Sequence, residues 1–342
     1  MAIPSGPIDD PSAWKADDVR DDPSWRYQLD GEDLVEIGAA VTSLVERGLT
    51  PPHFDREDFA IPKLGAKLAE LGRSFEQGRG FFLVRGLPVD KYPLPMVKTI
   101  YWGIGTHLGC PVFQNLRGEL ISHVADRGDD YNDVNVRLYT TRAAAFPHND
   151  PSDAVGLLCI RGARSGGASM IASATAIFNE VLATRPEYLE ILFRGFPHDT
   201  RGEGQSGALD ETTPDVPVFS YYAGKLSCCL NSKSSQTARI KQGRPFSAEE
   251  LAAVRYVESL AERTDLSLSM DFQPGDMQFL NNYTILHTRT AFENGASPQQ
   301  QRLLLRIWLN LREGRALAPG FGDRFNNGSR GGVPATAAPT AA

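Results

Sequence analysis

The sequence predicts an α+β fold with a mainly β core, in which an antiparallel barrel or jelly roll is covered by helices. Several strand candidates in the second half of the chain are separated by helical segments. Helices and strands do not alternate regularly, as they would around a parallel sheet. The chain has 342 residues, of which 41% are hydrophobic and 23% charged. This composition is that of a globular protein that buries its core without disulfides.

The two ends of the chain differ in composition from the middle. Residues 1–22 are rich in Asp, Pro and Ser, residues 322–342 are rich in Gly, Ala and Pro, and neither segment shows hydrophobic periodicity. We therefore expect a loose N-terminal arm, a single domain over residues 23–321 and a disordered tail. The domain is expected to combine a helical N-terminal part with a jelly-roll core.

The N-terminal part of the domain is predicted to be mainly helical. An apolar stripe at helical spacing follows Asp33, which is the predicted cap, and ends near Gly48. Further helices are predicted over residues 64–75 and 94–108, on either side of a buried strand at residues 81–84.

The remainder of the domain is predicted to supply most of the strands. Residues 154–160 form a continuous apolar run, as expected for a strand that is buried on both faces. Ser247 and Glu250 form a capping box for a helix that ends near Arg263. The other predicted elements are strands at 169–173, 266–272, 277–282 and 303–311, and helices at 174–186 and near 187–194.

Charge and cysteine content limit the partners and the compartment. The formal net charge of −7 argues against an extended nucleic-acid-binding face. No apolar run approaches the roughly 18–20 residues that cross a bilayer, and the acidic start of the chain has no apolar core of a signal peptide. None of the four cysteines forms a CxxC pair. We therefore expect a cytoplasmic protein with reduced thiols, without nucleic-acid or membrane partners, and leave a homo-oligomer open.

Two of the six histidines stand in a His-x-Asp pattern, His53 with Asp55 and His148 with Asp150. On an extended strand, residues i and i+2 point to the same face, so an imidazole and a carboxylate can bind one metal ion. The first pair follows two prolines in a predicted loop. The second pair precedes the buried strand at residues 154–160 and is the stronger candidate.

A late strand offers the third ligand, His287. Two histidines and one carboxylate leave three coordination positions open, an arrangement typical of non-haem Fe(II) oxygenases. Arg302 and Arg306 follow, four residues apart on a predicted strand with apolar neighbours. A guanidinium directed into a core needs an anionic partner, and a dicarboxylate co-substrate would supply one.

Taken together, the segments PHND, GGAS, NNYTILHTR and QRLLLRIWL resemble the taurine dioxygenase and clavaminate-synthase-like branch of the Fe(II)/2-oxoglutarate-dependent oxygenases. The resemblance spans about residues 78–312 and includes the glycine-framed strand GRGFFLVRG. It implies a double-stranded β-helix, which is a distorted, cupin-like jelly roll with flanking helices. It also implies Fe(II), 2-oxoglutarate as co-substrate, O2, release of succinate and CO2, and ascorbate as an activator in vitro.

The same resemblance implies roles for individual residues. Arg302 matches the arginine that pairs with the distal carboxylate of 2-oxoglutarate. Ser169, after two glycines, matches the residue that hydrogen-bonds this carboxylate, and Thr175 is a rival for that role. The residues that match the catalytic iron ligands are His148, Asp150 and His287.

The substrate is expected to be a small anionic molecule, such as a carboxylate or amino acid, with an unactivated C–H bond that is oxidised. Arg306 matches a position that holds the substrate's acidic group in several members of the family. Tyr139, Arg142 and Phe146 lie just before the metal motif and would reach the mouth of the pocket if that stretch leads into the metal-bearing strand.

Two other classes of function remain open at this point. A cupin-like metal enzyme without 2-oxoglutarate would use the same three ligands and would be indifferent to a change at Arg302. A non-catalytic protein that binds small molecules would have no need of all three ligands, so the intact set argues against it.

Overall fold

Two β-sheets lie face to face at the centre of the molecule, and helices cover their outer faces. The computed structural model describes residues 2–130, 136–204, 206–321 and 330–333. The α-helices of these residues are α1 (Ala16–Val19), α2 (Gly31–Glu46), α3 (Pro62–Gln77), α4 (Leu94–Leu108), α5 (Ala174–Thr184), α6 (Leu189–Arg194), α7 (Ser232–Lys241) and α8 (Ala248–Glu262). The strands are β1 (Arg26–Gln28), β2 (Phe81–Arg85), β3 (Cys110–Val112), β4 (Ile121–Val124), β5 (Ala154–Arg161), β6 (Ser165–Gly166), β7 (Ser169–Ser173), β8 (Phe219–Tyr222), β9 (Lys225–Cys228), β10 (Ser267–Met270), β11 (Met277–Asn281), β12 (Ile285–Arg289), β13 (Phe292–Glu293) and β14 (Leu303–Asn310).

The larger sheet has seven strands in the order β1-β2-β11-β5-β14-β3, with β4 also paired to β14. The smaller sheet has the order β10-β7-β12. All pairs in both sheets are antiparallel except β1 with β2. This arrangement agrees with the predicted antiparallel, mainly β core.

The space between the two sheets is filled by apolar side chains from both, including Phe81, Val155 and Trp308 from the larger sheet and Ile171 and Ile285 from the smaller one. Helices α2, α3 and α4 pack against the outer face of the larger sheet. Helices α5, α6 and α8 pack against the outer face of the smaller sheet. Burial of both faces explains why β5 has the continuous apolar sequence from which it was predicted.

The predicted helix ends agree with the structure to within two residues, except at the start of α2. Asp30, not Asp33, is the N-cap, and its carboxylate accepts hydrogen bonds of 2.9 Å from the N–H groups of Glu32 and Asp33. The carboxylate of Asp33 accepts the N–H of Asp30 at 3.0 Å. The two residues therefore form a reciprocal capping box, and the helix begins earlier than predicted.

The expectation of a loose arm over residues 1–22 is wrong for its second half. Trp14 and Val19 are buried in the core between the sheets, and the indole N–H of Trp14 donates to the carbonyl of Arg79 at 2.9 Å. Burial of two large apolar side chains offsets the cost of ordering the segment.

Most of the tail that was expected to be disordered, residues 322–329 and 334–342, lies outside the described residues. Residues 330–333, by contrast, pack on the core. Val333 is buried, and its N–H donates to the carbonyl of Phe113 at 2.9 Å. None of the helices in the described part of the chain is long and apolar enough to cross a membrane.

Candidate metal centre and cavity

His148 and His287 are brought together by their own backbones at the edge of the smaller sheet. The N–H of each residue donates to the carbonyl of the other at 3.0 Å, forming an antiparallel bridge beside β12. The two imidazole rings have centroids 4.3 Å apart. Asp150 follows His148 by two residues, and the candidate ligand atoms of the three side chains all lie within 4.8 Å of one another.

Hydrogen bonds on both sides hold this segment in place. Nδ1 of His148 lies 2.8 Å from the carbonyl of Phe146, so it donates there and leaves the lone pair on Nε2. The backbone N–H of Asp150 donates to Oδ1 of Asn282 at 3.1 Å. The side-chain amide of Asn149 donates to the carbonyl of Ile285 at 2.8 Å. The ligand atoms are therefore oriented by neighbouring groups, as in preorganised metal sites.

Asp150 is buried but remains ionised. Burial alone would raise the pKa of its carboxyl group, but the neighbouring groups, with Arg306 first among them, together outweigh that effect and the net pKa is lowered. Nη1 of Arg306 lies 3.2 Å from Oδ1 of Asp150, and the indole N–H of Trp308 donates to Oδ2 at 3.0 Å. Arg306 also donates through Nε to Oε1 of Gln114 at 2.7 Å.

The two histidines are held in the neutral form that binds metals. Burial lowers the pKa of His148. Burial, reinforced by the nearby His148, lowers the pKa of His287 to about 3. Both imidazoles are therefore uncharged at neutral pH and have a lone pair to donate.

The chemistry of this donor set fits an Fe(II) ion. Two neutral imidazoles and one carboxylate are the ligands of non-haem iron oxygenases. Among the residues that the structure describes, Nδ1 of His287 is buried without a hydrogen-bond partner, so the chain alone does not satisfy this group. Within the same residues, this is the one cluster of three His, Cys, Asp or Glu side chains with metal-binding spacing.

The cluster lies in the wall of a cavity of about 200 Å³. That volume is several times the share of one water molecule, roughly 30 Å³, so the cavity can admit a small molecule. The site residues expected from the sequence that line this cavity are His148, Asp150, His287, Ser169, Arg302, Arg306 and Tyr139.

Arg302 is a buried cation without an acidic partner among the described residues. Its side chain is 4% exposed, its Nη2 lies 3.4 Å from the carbonyl of Gly167, and its Nη1 has no partner in that part of the chain. The guanidinium carbon lies 5.1 Å from the ring centre of Phe292. Burial, and then repulsion from Arg289, lower the pKa of Arg302 to about 10. An unpaired buried guanidinium of this kind fits an anionic ligand.

Arg289 also lines the cavity, and the sequence reasoning missed it. It lies opposite Ser169 in the register of β12 and β7, and burial lowers its pKa to about 10. Its Nη2 donates to the carbonyl of Thr141 at 3.0 Å. The signal was present, because Arg289 follows His287 by two residues on one strand and therefore shares its face.

Ser169 is placed at the cavity and Thr175 is not. The hydroxyl of Ser169 donates to Oε1 of Gln278 at 3.1 Å, and its side chain is buried. Thr175 lies in the first turn of α5, where its hydroxyl is 2.8 Å from that of Ser12 in the N-terminal arm. Thr175 is absent from the cavity wall, so the alternative that Thr175 binds the distal carboxylate instead of Ser169 is corrected.

Three of the four expected substrate residues need correction. Arg306 already donates hydrogen bonds to Asp150 and Gln114, and the carboxylate of Asp150 compensates its charge. Arg142 is exposed and Phe146 is 48% exposed, and neither lines the cavity. The stretch before His148 is irregular rather than a strand, so the expected alternation of side chains does not apply there. Tyr139 does line the cavity, with its ring centre 4.8 Å from the guanidinium carbon of Arg306.

Comparison with known proteins supplies an independent line of support. Residues 46–308 match the family described as "Taurine catabolism dioxygenase TauD, TfdA family". The chain is 32% identical over 340 residues to "FR-33289 synthase" from Streptomyces rubellomurinus (strain ATCC 31215), with 98% of each chain covered.

Two solved structures have a similar fold. The first is an asparagine oxygenase in complex with Fe(II), 2S,3S-3-hydroxyasparagine and succinate, with a TM-score of 0.65 and 17% identity over 83% of this chain and 93% of that one. The second is the non-heme iron oxygenase OrfP in complex with Fe and alpha-ketoglutaric acid, with a TM-score of 0.60 and 15% identity over 83% and 94%. These likenesses confirm the predicted double-stranded β-helix with flanking helices.

Proposed function

Because the chain belongs to the taurine catabolism dioxygenase TauD, TfdA family and is an Fe(II)/2-oxoglutarate-dependent oxygenase, we propose that its iron is held by His148, Asp150 and His287. We propose further that it oxidises an unactivated C–H bond of a small anionic substrate and releases succinate and CO2. The observation that carries the proposal is the juxtaposition, in one cavity, of a neutral two-histidine, one-carboxylate cluster with the unpaired Arg302.

The chemistry that iron supplies when bound is the activation of dioxygen. The chain's own contribution at this end is to fix the ligands before the metal arrives. His148 presents Nε2 because its Nδ1–H is held by the carbonyl of Phe146. Asp150 stays ionised because Arg306 and Trp308 contact its oxygens.

At the other end of the cavity, Arg302 binds the distal carboxylate of 2-oxoglutarate. A guanidinium binds a carboxylate through two parallel hydrogen bonds, and its Nη1 is unsatisfied within the described chain. When 2-oxoglutarate binds, the hydroxyl of Ser169 donates its hydrogen bond to this carboxylate instead of to Gln278. Arg289 adds a second positive charge beside Phe292, 4.8 Å from its ring centre, which strengthens the attraction for a dianion.

The remaining cavity takes the substrate. The asparagine oxygenase structure holds a hydroxylated asparagine, and OrfP has been solved with (3S)-hydroxy-L-Arg. We infer that a molecule of amino-acid size, with at least one negative charge, is the substrate class of this chain. Fe(II), 2-oxoglutarate and O2 are its proposed requirements, with ascorbate as an activator in vitro.

The test is anaerobic addition of Fe(II) and then of 2-oxoglutarate, followed by visible absorption. A metal-to-ligand charge-transfer band that needs both additions is expected from the wild type. His148→Ala should lose the band, whereas His53→Ala, a change at the exposed His-x-Asp pair, should retain it. Loss in both variants, or retention in both, would contradict the assignment of the ligands.

The same experiment separates the two alternative functions. Iron binding without a band would indicate a metal enzyme that does not use 2-oxoglutarate. Absence of iron binding would favour a protein that only binds small molecules. The unpaired charge of Arg302 argues against the first alternative, because such an enzyme has no need of a buried guanidinium in its cavity.

A further inference from the structure

The cavity has a second charged wall, formed by segments outside both sheets. Arg137 comes from the segment before β5, and Arg201 and Glu203 come from the segment between α6 and β8. All three side chains line the same cavity as the metal-binding cluster. None of them was predicted as a site residue, because neither segment has a recognisable motif.

Arg137 and Glu203 compensate each other. Nη2 of Arg137 and Oε2 of Glu203 form an ion pair, and the two side chains are 22% and 17% exposed. Burial lowers the pKa of Arg137, but Glu203 outweighs that effect and the net pKa is raised. Arg137 is therefore a permanently charged group in the cavity wall, and Glu203 is its carboxylate partner.

Arg201 is left without a partner of its own. Its side chain forms no hydrogen bond or ion pair within the described residues, and its Nε is buried and unsatisfied. Burial, and then repulsion from Arg137, lower its pKa, although Asp199 and Glu203 act in the opposite direction. The neighbouring Asp199 is paired with Lys241. Its Oδ1 accepts Nζ of Lys241 at 2.7 Å and the backbone N–H of Arg201 at 2.9 Å, and its buried Oδ2 has no hydrogen-bond partner within the described residues.

Both carboxylates that the described residues place on this wall already have a cationic partner. Asp199 is paired with Lys241, and Glu203 is paired with Arg137. Lys233 is fixed by a hydrogen bond of 3.1 Å to the carbonyl of Val136. Since these carboxylates are paired with other cations, the charge of Arg201 that faces the cavity favours an anionic ligand.

We propose that Arg201, with Arg137 beside it, binds an oxyanion group of the substrate, and that this subsite positions the opposite end of the substrate for oxidation. The proposal rests on the proposed function for the identity of the site as an oxygenase. The ligand class is a small molecule with a carboxylate, sulfonate, phosphonate or phosphate group remote from the oxidised carbon. Arg306 was the residue expected from the sequence for this role, but its charge is taken up by Asp150.

The alternative, a purely structural arginine, is disfavoured by the contacts of Arg201. A structural buried arginine normally satisfies its donors with carboxylates or carbonyls. Arg201 has a backbone anchored through Asp199 and a side chain without hydrogen bonds within the described chain. The buried Nε–H without an acceptor costs stability in the free protein, and an oxyanion that accepts this hydrogen bond offsets that cost.

The test is a calorimetric titration with acetate, methanesulfonate and methylphosphonate. It uses the wild type, Arg201→Gln, Arg201→Lys and, as a matched control, Arg255→Gln, which alters an exposed arginine of α8. Each protein is titrated anaerobically with Fe(II) and 2-oxoglutarate bound, and again without metal. The wild type should bind at least one of the three anions. Arg201→Gln should weaken that binding at least about tenfold, Arg201→Lys should weaken it less, and Arg255→Gln should leave it unchanged.

Three results would overturn the proposal: no anion bound by the wild type, equal affinity in Arg201→Gln, or displacement of the anion by 2-oxoglutarate, which would place it at Arg302. A preference for acetate or for methylphosphonate distinguishes a planar from a tetrahedral oxyanion. The charge-transfer band is recorded in the same samples. A wild type without the band, but with Arg201-dependent anion binding, would refute the proposed function and leave the subsite standing.

Discussion

Arg302, directly before β14, and Arg306, within β14, occupy opposite situations in the same cavity. Arg306 lies 3.2 Å from the carboxylate of Asp150 and 2.7 Å from the amide oxygen of Gln114. Arg302, four residues earlier and also buried, has one long side-chain hydrogen bond of 3.4 Å to the carbonyl of Gly167 and lies over the ring of Phe292. One charge is compensated by a carboxylate, and the other has no acidic partner within the described residues.

This difference indicates that the two arginines have different roles at the site. A buried ion pair is stable only while both partners remain, so Arg306 is part of the machinery that keeps Asp150 ionised and oriented. A buried guanidinium without a carboxylate is unfavourable until a ligand arrives. Arg302 is therefore suited to bind a ligand, and the comparison predicts that the two arginines respond oppositely to the same substitution.

The largest effect is expected from Arg306→Gln in the metal-free protein. The change leaves Asp150 buried without its cationic partner, and breaking a buried pair in this way costs about 3–5 kcal/mol in the free energy of unfolding. Urea denaturation followed by circular dichroism measures the loss. Arg302→Gln is the matched control, since it removes an equally buried charge that has no acidic partner within the described residues and should leave the unfolding free energy unchanged or slightly raised. Equal destabilisation by the two variants would show that the comparison is wrong.

The next effect concerns 2-oxoglutarate. Arg302→Gln removes the proposed partner of the distal carboxylate, so the 2-oxoglutarate concentration required for half-maximal succinate release should rise roughly thirty- to a hundredfold. The expected signature is a change in this requirement without a change in stability. An unaltered requirement would transfer the role to Arg289, which also reaches the ring of Phe292, and Arg289→Gln would then show the rise.

Much of this site could be predicted because strands have a period of two. This rule predicted that His148 would share a face with Asp150, and Arg302 with Arg306, and both pairs do line one cavity. The rule succeeded although His148 forms only an isolated bridge and Arg302 lies just before β14. The apolar run of β5 and the capping box of α8 predicted their elements directly from local chemistry. These features depend on residues close together in the sequence.

The features that could not be predicted depend on contacts between distant segments. Asp150 and Arg306 are 156 residues apart, and no local pattern indicates that they pair rather than bind separate ligands. Arg201 is exposed to the cavity through an irregular segment, where side-chain direction follows no period. Trp14 lies in a segment of polar composition, yet its large side chain is buried against Phe81 of β2.

The smallest effect tests which hydroxyl assists Arg302. Ser169→Ala removes one hydrogen-bond donor from the cavity, and a single hydrogen bond to a charged group contributes about 1.5 kcal/mol or slightly more. The 2-oxoglutarate requirement should therefore rise about tenfold, less than in Arg302→Gln. Thr175→Ala is the matched control, because the hydroxyl of Thr175 contacts Ser12 outside the cavity, so it should leave the requirement unchanged. A rise in Thr175→Ala together with no change in Ser169→Ala would mean that α5 moves into the cavity when the co-substrate binds. If neither variant differs from the wild type, the guanidinium groups alone hold the carboxylate, and the bond between Ser169 and Gln278 serves only to tie β7 to β11.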